Sequence, residues 1–360
     1  MGVPRRRDAE RPCRLPRRRV PGARLRSPPA GGLRGARPLP RDRRRDIPLV
    51  EAGRPGGDPR AAGRSGDAGG RPRGRGRRPA GAPPVIADDV LEVGDGIARL
   101  VLDDPRTPPR DSPRPYLHPL RTPGGLVVSD LRPADHDWHL GLSLAVANVG
   151  VPGEVDDVNL WGGVTWVTGA GYRQLANNGA QRVLDRDGPA LSLAWTDAAG
   201  RVLLTERRTH TVARPAPDRA VLTVESTWTP VVAGLAFGSP TTAGRPDAGY
   251  GGLVLRLAPE FGAARVLSPA GPTTADAARG ASAPWLALAT GQATVAMAAS
   301  AGDPVHPSPW FVRTGATPIL GSAPFAHRVW TMPATPVTWR WRVLVADGAL
   351  DPDAIAAALA

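Results

Sequence analysis

The sequence contains no lysine and a single cysteine, Cys13, so all of its basic charge apart from histidine is arginine. Without a second cysteine, the rest of the chain can form neither a disulfide nor a thiolate metal site. No run approaches the roughly 18–20 apolar residues that span a bilayer, and no apolar stretch of signal-peptide length follows the arginine runs near the N-terminus. These absences predict a protein of a reducing compartment, the cytoplasm, with no membrane partner.

The positive charge is confined to one end of the chain. Residues 1–84 hold 24 of the 46 arginines against seven acidic residues, whereas the remainder is mildly acidic. This stretch is rich in proline and glycine and nearly free of aromatic residues, so it cannot bury enough apolar surface to offset its ordering entropy. We predict a disordered extension over 1–84, or a region upstream of the true start, and a single domain over 85–360. Nucleic-acid binding is disfavoured because no aromatic side chains interleave with the arginines.

Short runs of β-strand character alternate with turn signals from residue 86 to residue 347. The run 190–212 predicts a hairpin about a turn at 197–200, and 337–348 alternates apolar with polar residues as a half-exposed strand does. The one convincing helix is the last segment, with Asp351 as its N-cap. The other predicted strands lie within 90–102 (a hairpin), 124–131, 139–149, 158–167, 220–231, 251–259, 285–290, 293–300 and 310–315. Many strands and almost no helix predict an all-β fold, a large β-sandwich.

Residues 114–163 carry His118, His136 and His139, three of the six histidines. His136 and His139 are three residues apart, so they converge only if their segment is a loop, a turn or a bulge. Three interpretations stay open. The histidines act with Glu206 in proton transfer, they bind a metal with an open coordination position, or they hold buried loops by hydrogen bonds.

Several other side chains are candidates for the same site. Glu206 shares the predicted inward face of its strand with Leu204, so its carboxylate needs a partner. Most of the ten tryptophans are predicted to be core, whereas Trp138 and Trp310 lie in polar, loop-like sequence suited to stacking on sugar rings. The remaining candidate binding residues are Arg121, Asp135, Tyr250, Arg256, His306 and Arg313.

Seven motifs occur in a fixed order: RPYLHPLRTPGG, DHDWHLGLS, NLWGG, TERRT, GYGGLVLR, HPSPWFVR and WRWRVLVADG. In this order they resemble the bacterial family named methane oxygenase PmoA over 86–360, with Leu140 where that family often has a basic residue. The resemblance implies a galactose-mutarotase-like β-supersandwich and a sugar-catabolic context. By analogy of fold, it also implies a histidine acid and a glutamate base acting on a sugar ring. The family's name implies a membrane copper oxygenase, which a chain without a spanning segment does not fit.

The predicted function is therefore that of a carbohydrate-active protein, an epimerase, lyase or hydrolase of a sugar or sugar acid. His136 or His139 would be the acid and Glu206 the base, while arginines would orient hydroxyl or carboxylate groups. One alternative is a non-catalytic sugar-binding or structural β-sandwich. Another is a metal-dependent oxygenase, with a divalent metal on His118, His136 and His139. The sequence itself requires no cofactor.

Overall fold

The computed structural model of the protein describes residues 90–360, and the predictions for residues 1–84 lie outside this range. Two antiparallel sheets, of seven and nine strands, contain 16 of the 21 strands in the described chain. Their inner faces bury one shared hydrophobic core, to which both sheets contribute leucines such as Leu144 and Leu193. The predicted all-β sandwich is confirmed.

The seven-stranded sheet carries the candidate site. Its strands are β1 (Val90–Val93), β2 (Ala98–Val101), β3 (Tyr116–Leu120), β4 (Leu142–Val146), β13 (Gly251–Arg256), β18 (Trp310–Arg313) and β19 (Ile319–Ser322). Their spatial order is β1-β2-β3-β4-β13-β19-β18, so the last three strands join the sheet from distant parts of the chain.

The strands of the nine-stranded sheet are β8 (Ala180–Asp187), β9 (Ala190–Thr196), β10 (Val202–Ala216), β11 (Arg219–Pro230), β14 (Arg265–Ser268), β15 (Gly271–Thr273), β16 (Trp285–Ala289), β17 (Ala293–Ala299) and β21 (Val337–Asp347). Their spatial order is β15-β14-β16-β17-β21-β11-β10-β9-β8. Two smaller sheets comprise β5 (Asn148–Gly150), β12 (Ala236–Gly238) and β20 (Trp330–Thr331) in one, and β6 (Thr165–Val167) and β7 (Gly171–Arg173) in the other.

Helices are short in the described part of the chain. Helix α1 (Ala275–Ala278) has one turn, and α2 (Pro352–Leu359) packs Ile355 and Leu359 on the outer face of the nine-stranded sheet. The Asp351 side chain accepts a hydrogen bond from the Ala354 amide at 2.8 Å, so the predicted N-cap is confirmed. Two 3-10 helices span Pro109–Asp111 and Pro259–Ala263.

Strand alternation gives the seven-stranded sheet a second apolar face. In β4, Leu144 points into the shared core, whereas Ala145 belongs to a separate cluster on the outer face. The same alternation separates Leu320 from Ile319 in β19 and Val312 from Phe311 in β18. Loops cover this outer cluster, and the candidate site lies among them.

The predicted strand 124–131 is replaced by isolated bridges, and only the last three residues of the predicted strand 158–167 form a strand, β6. Within 124–131, Ser129 pairs with Leu257 only as an isolated bridge, and its hydroxyl takes the Leu120 amide that a ladder would otherwise use. Within 158–167, the Asn159 side chain accepts hydrogen bonds from the Trp161 and Gly162 amides, which turns the chain before β6. In both segments a polar side chain competes with ladder hydrogen bonding.

Glu206 lies on β10 and faces inward, as predicted, but into the core of the nine-stranded sheet. Trp195 Nε1 donates to Oε2 at 2.6 Å, and Arg208 donates Nε to Oε1 and Nη2 to Oε2 at 2.6 and 2.7 Å. The Ser226 hydroxyl also donates to Oε1. Arg208 Nη2 reaches Gln181, whose amide donates to the Leu144 carbonyl across the sandwich. This buried network therefore links the two sheets.

Replacing Glu206 by glutamine is expected to reduce the free energy of unfolding by about 3 kcal/mol, because Arg208 loses its buried counter-charge. Glu225→Gln is the matched control, since Glu225 makes an exposed ion pair with Arg340 and its loss should cost less than about 1 kcal/mol. Urea unfolding measures both. Equal effects of the two substitutions would contradict a structural role for the Glu206 network.

His210, two residues beyond Arg208 on the same face of β10, is a buried neutral imidazole. Burial, with a contribution from Arg208, lowers its pKa from 6.5 to about 3, and its Nδ1 has no hydrogen-bond partner in the described chain. The unfolded chain takes up this proton below about pH 6.5 while the folded protein does not. Stability from this group is therefore complete above pH 6.5 and declines as the pH falls towards 3.

We expect His210→Leu to remove up to about 1.4 kcal/mol per pH unit from the slope of unfolding free energy between pH 4 and pH 6. Urea unfolding at several pH values measures the slope. His306→Leu is the control, because His306 is exposed and should leave the slope unchanged. An identical slope in the His210 variant and the parent would show that His210 does not cause the acid sensitivity.

Candidate active site on the outer face of the seven-stranded sheet

A cleft of about 210 Å³ opens on the outer face of the seven-stranded sheet. Strand residues Phe311 and Ile319 form its floor, and four loop segments, with Tyr172 of β7 and Arg313 of β18, form its walls. The lining residues are His136, Trp138, His139, Trp161, Val164, Tyr172, Arg245, Tyr250, Phe311, Arg313, Thr317 and Ile319.

A tight turn brings His136 and His139 together. The His139 amide donates to the His136 carbonyl at 2.9 Å, and the His136 amide donates to the Pro133 carbonyl at 2.8 Å. The Arg132 amide donates to the His139 carbonyl at 2.9 Å and closes the loop. The two imidazole rings stack with centroids 4.6 Å apart and planes inclined by 22°. His136 and His139 therefore converge because their segment is a turn, as the sequence analysis required.

Buried arginines anchor this histidine loop (132–139). Arg114 donates to the Trp138 carbonyl at 2.8 Å and to the Asp111 and Ser112 carbonyls at 3.2 and 3.0 Å. Complete burial lowers the Arg114 pKa to about 9. At the other end of the loop, Arg132 pairs with Asp104 at 3.0 Å. Both ends of the loop are therefore tied to the sandwich by charge-assisted hydrogen bonds.

Trp138 rests against two glycines of the NLWGG motif. A Cβ atom on Gly162 would lie 2.7 Å from the Trp138 Cβ, and one on Gly163 would lie 2.5 Å from the indole ring. Both glycines have positive φ, +100° and +64°. The indole therefore packs directly on the backbone of the motif, and both positions require glycine.

His136 and Asp135 form a hydrogen-bonded pair at the mouth of the cleft. Nδ1 of His136 lies 2.8 Å from Asp135 Oδ2, which also accepts the Thr317 hydroxyl at 3.2 Å. The pKa of Asp135 is lowered: burial opposes the shift, but the His136 hydrogen bond and the nearby charges of His136 and Arg256 outweigh it. Asp135 thus stays ionised and orients the imidazole, leaving Nε2 for a ligand.

His139 lies beneath His136 and is 7% exposed. Burial, followed by the positive charges of His136, Arg256 and Arg114, lowers its pKa well below 6.5. Its Nδ1 has no hydrogen-bond partner in the described chain. A neutral His139 stacked on His136 is a platform for that ring rather than a second proton carrier at neutral pH.

Arg256 lies beneath the His136–Asp135 pair. It is 4% exposed on β13, with Nη2 3.7 Å from Asp135 Oδ1 and Nε 3.7 Å from Asp130 Oδ2. Nε and Nη1 are buried and make no hydrogen bond within residues 90–360. Its charge adds to the His136 hydrogen bond and charge in keeping Asp135 ionised, and to burial and the His136 charge in keeping His139 neutral.

An aromatic wall faces the histidines. Trp161 contacts Tyr250 with ring centroids 4.5 Å apart and planes inclined by 43°, and it meets the His139 ring edge-on at 5.7 Å. The Tyr250 hydroxyl lies 3.0 Å from the Tyr172 hydroxyl, which in turn accepts a hydrogen bond from Arg245. Burial and the neighbouring Tyr172 raise the Tyr250 pKa well above 10, so the phenol keeps its proton.

The structure brings together seven of the twelve residues predicted from sequence. His136, His139, Trp138, Tyr250 and Arg313 line the cleft. Asp135 joins them through its hydrogen bond to His136. Arg256 lies directly beneath as a seventh, outside the lining.

The other predicted residues lie elsewhere. Glu206 is on the opposite sheet, and Trp310 is 1% exposed in the shared core, where its indole donates to the Ala283 carbonyl. His118 lies on β3 and is hydrogen-bonded to the Ser129 hydroxyl, and burial lowers the pKa of its imidazole. Arg121 donates to the Gly125 carbonyl, and His306 is exposed. A polar sequence neighbourhood was a misleading guide to Trp310, because its strand turns it inward.

The sequence reasoning missed Tyr172, Arg245 and Phe311. Tyr172 and Arg245 come from a small hairpin and a distant loop, and no local motif marks either of them. Phe311 could have been found, because alternation in β18 places it on the same face as Arg313.

No group of three or more His, Cys, Asp and Glu within residues 90–360 has an arrangement that could hold a metal ion. His118 does not line the cleft, and the other two imidazoles face each other as stacked rings. The described residues thus do not form the predicted three-histidine metal site.

The fold and site together define an all-β sandwich protein with an aromatic, histidine-containing cleft on one outer sheet face. Residues 89–360 match the model of a family of unknown function, DUF6807, and the chain belongs to that family. The resemblance to methane oxygenase PmoA is therefore wrong, because nothing in this match links the chain to that family. No curated protein matches the chain. None of the helices in the part described is long and apolar enough to cross a membrane.

Gly163→Ala is expected to lower the free energy of unfolding by about 2–4 kcal/mol, because it adds a clash with the Trp138 indole to the cost of a positive φ. Gly169→Ala is the matched control: its φ is +77°, but a Cβ there meets nothing within 4 Å, so only about 1–2 kcal/mol is lost. Urea unfolding compares them, and near-ultraviolet circular dichroism reports the indole environment. Equal losses would contradict the packing of Trp138 on the glycine pair.

Proposed function

We propose that the cleft binds a small carbohydrate and that His136, oriented by Asp135, transfers a proton to or from it. The observation that carries this proposal is the hydrogen-bonded His136–Asp135 pair beside a cleft walled by aromatic rings. Epimerisation, elimination and hydrolysis of sugars all need a proton moved at carbon or oxygen by a group that titrates near neutral pH.

The aromatic lining supports a sugar ligand. Trp138 is partly exposed beside the cleft, and the Trp161 and Tyr250 rings form a continuous apolar surface opposite the histidines. The C–H faces of a sugar ring pack on such surfaces, while its hydroxyl groups need donors and acceptors. Tyr172, Thr317 and His136 supply these at the cleft wall.

The division of labour within the site follows from its charges. Asp135 is held ionised and fixes the ring of His136, and the neutral His139 beneath does not compete for the proton. Glu206 has no part in this mechanism, because both of its oxygens are occupied in the core of the other sheet. One imidazole therefore acts as both acid and base, with protonated phenols as hydrogen-bond donors.

A non-catalytic sugar-binding protein is the second candidate. The observation that favours it is that no aspartate or glutamate lines the cleft directly. Within residues 90–360, the only carboxylate hydrogen-bonded to a lining imidazole is that of Asp135. We further propose a cytoplasmic location, on the ground that the chain has one cysteine in 360 residues.

The test combines binding with chemistry. A panel of hexoses, their glycosides and their uronic acids is incubated with the full chain in D₂O and followed by NMR for deuterium at carbon or for new products. We expect conversion of at least one compound. His136→Gln should lower the rate at least about 100-fold, while calorimetric affinity changes by less than about threefold, because the loss is in proton transfer.

His306→Gln makes the same chemical change at an exposed site and should leave the rate unchanged. Binding without conversion by the unmodified protein would favour the non-catalytic candidate. A His136→Gln rate within twofold of the parent rate would rule out His136 as the proton carrier. Absence of binding to every sugar would end the proposal.

A further inference from the structure

We infer that the ligand of the cleft carries a negatively charged group, a carboxylate or a phosphate, which binds between Arg245 and Arg313. This inference rests on the proposed function, because it specifies which carbohydrates the cleft accepts. The inference is based on two arginines that line the cleft, whereas no acidic residue is among its lining residues.

Arg313 is the clearest sign of an absent anion. Strand β18 directs it to the outer face of the seven-stranded sheet with Phe311, and its guanidinium lies 5.2 Å from the centre of that ring. Within residues 90–360 the Arg313 guanidinium makes no hydrogen bond and no ion pair, although the residue is only partly exposed. A guanidinium has five N–H donors, so an arginine in a cleft without an acceptor is prepared for one from a ligand.

Arg245 reaches the same cleft from a different loop. Its guanidinium lies over the Tyr172 ring at 4.6 Å and near the Trp166 ring at 5.8 Å, and it donates to the Tyr172 hydroxyl. These contacts fix its direction, but none of them neutralises its charge. Tyr172 is itself tied to Tyr250, so the phenol and the guanidinium are presented together.

The charge balance around Arg313 is unfavourable without a ligand. Burial lowers its pKa, and the like charges of Arg279 and Arg245 lower it further. Asp276, which lines a neighbouring pocket together with Arg313, is already engaged by Arg279 at 2.9 Å. Because no aspartate or glutamate lines the cleft, a bound anion would relieve this repulsion and pair with a planar, bidentate donor.

The size and the other walls of the cleft define the rest of the ligand. A volume of about 210 Å³ accommodates about one sugar ring, and the aromatic wall binds that ring rather than a free inorganic anion. The ligand class is therefore a monosaccharide with one acidic substituent. Both uronic acids and sugar phosphates have this chemistry, and the experiment separates them.

Calorimetric titration of the full chain with matched sets tests the inference. Each set contains a neutral hexose, its uronate and its 6-phosphate, with glucose, galactose and mannose as the three parents. We expect that in at least one set an anionic form binds about tenfold or more tightly than its neutral parent. The identity of the favoured form shows whether the site takes a carboxylate or a phosphate. The preference should weaken as salt is added, because the site is open to solvent.

Arg313→Gln is expected to remove most of the preference for the anion while changing neutral-sugar affinity by less than about twofold. Arg313→Lys keeps the charge and should retain part of the preference, which guards against misfolding of the first variant. Arg207→Gln is the matched control, since Arg207 is exposed on the nine-stranded sheet and far from the lining residues. Circular dichroism and the melting temperature verify that each variant is folded.

Equal affinities of neutral and anionic sugars in every set would overturn the inference while leaving carbohydrate binding intact. An equal loss for both forms in Arg313→Gln would also overturn it. Inorganic phosphate or acetate binding as tightly as the anionic sugars would overturn it as well, because the cleft would then recognise only the ion. Strong anionic preference together with an active His136→Gln variant would support the inference and contradict the proposed proton carrier.

Discussion

The hydrogen bond from the His139 amide to the His136 carbonyl is the contact on which the geometry of the cleft depends. In an extended chain the two imidazoles would project in opposite directions. This turn stacks them instead, with Asp135 free to hold the outer ring. The turn has no regular sheet around it, so its shape depends on Arg114 and Arg132, which tie its backbone and flanks to buried oxygens.

The electrostatics of the site follow from two carboxylates, Asp130 and Asp135, that lie among several positive groups. Asp135 faces His136 on one side and Arg256 on the other, and both keep it ionised. His139 lies among these same positive groups and remains neutral. The cationic residues on the opposite wall have no acidic counterpart among the lining residues, which makes the cleft asymmetric in charge: one end holds the His136–Asp135 pair, and the other has an excess of positive charge.

The all-β class and the position of most strands could be predicted from sequence, because alternation and turn residues are local signals. The hairpins at 90–102 and 190–212 illustrate this. The histidine loop could also be located, since proline and polar residues mark it. Glu206 could be assigned to an inward face, but the sheet to which that face belongs depends on long-range pairing, such as that of β11 with β21. A strand pattern alone therefore placed this carboxylate in the active site, although it lies in the opposite layer of the sandwich.

The residues that escaped prediction have a common physical reason. Tyr172 and Arg245 meet in the cleft although they are 73 residues apart in sequence, through their hydrogen bond to each other. Trp310 was misassigned because Ser308, two residues before it, is polar in sequence but buried in the fold. A contact made by tertiary packing leaves no periodic trace in either partner.

Strand β4 serves two layers at once, with Leu144 in the shared core and Ala145 beneath the cleft. The floor of the cleft therefore cannot shift without disturbing the sandwich. Its walls, by contrast, are connecting segments that pair only briefly with the sheets. Divergence of ligand choice among related chains can then proceed through changes in the length and composition of these segments, with the underlying scaffold inherited unaltered.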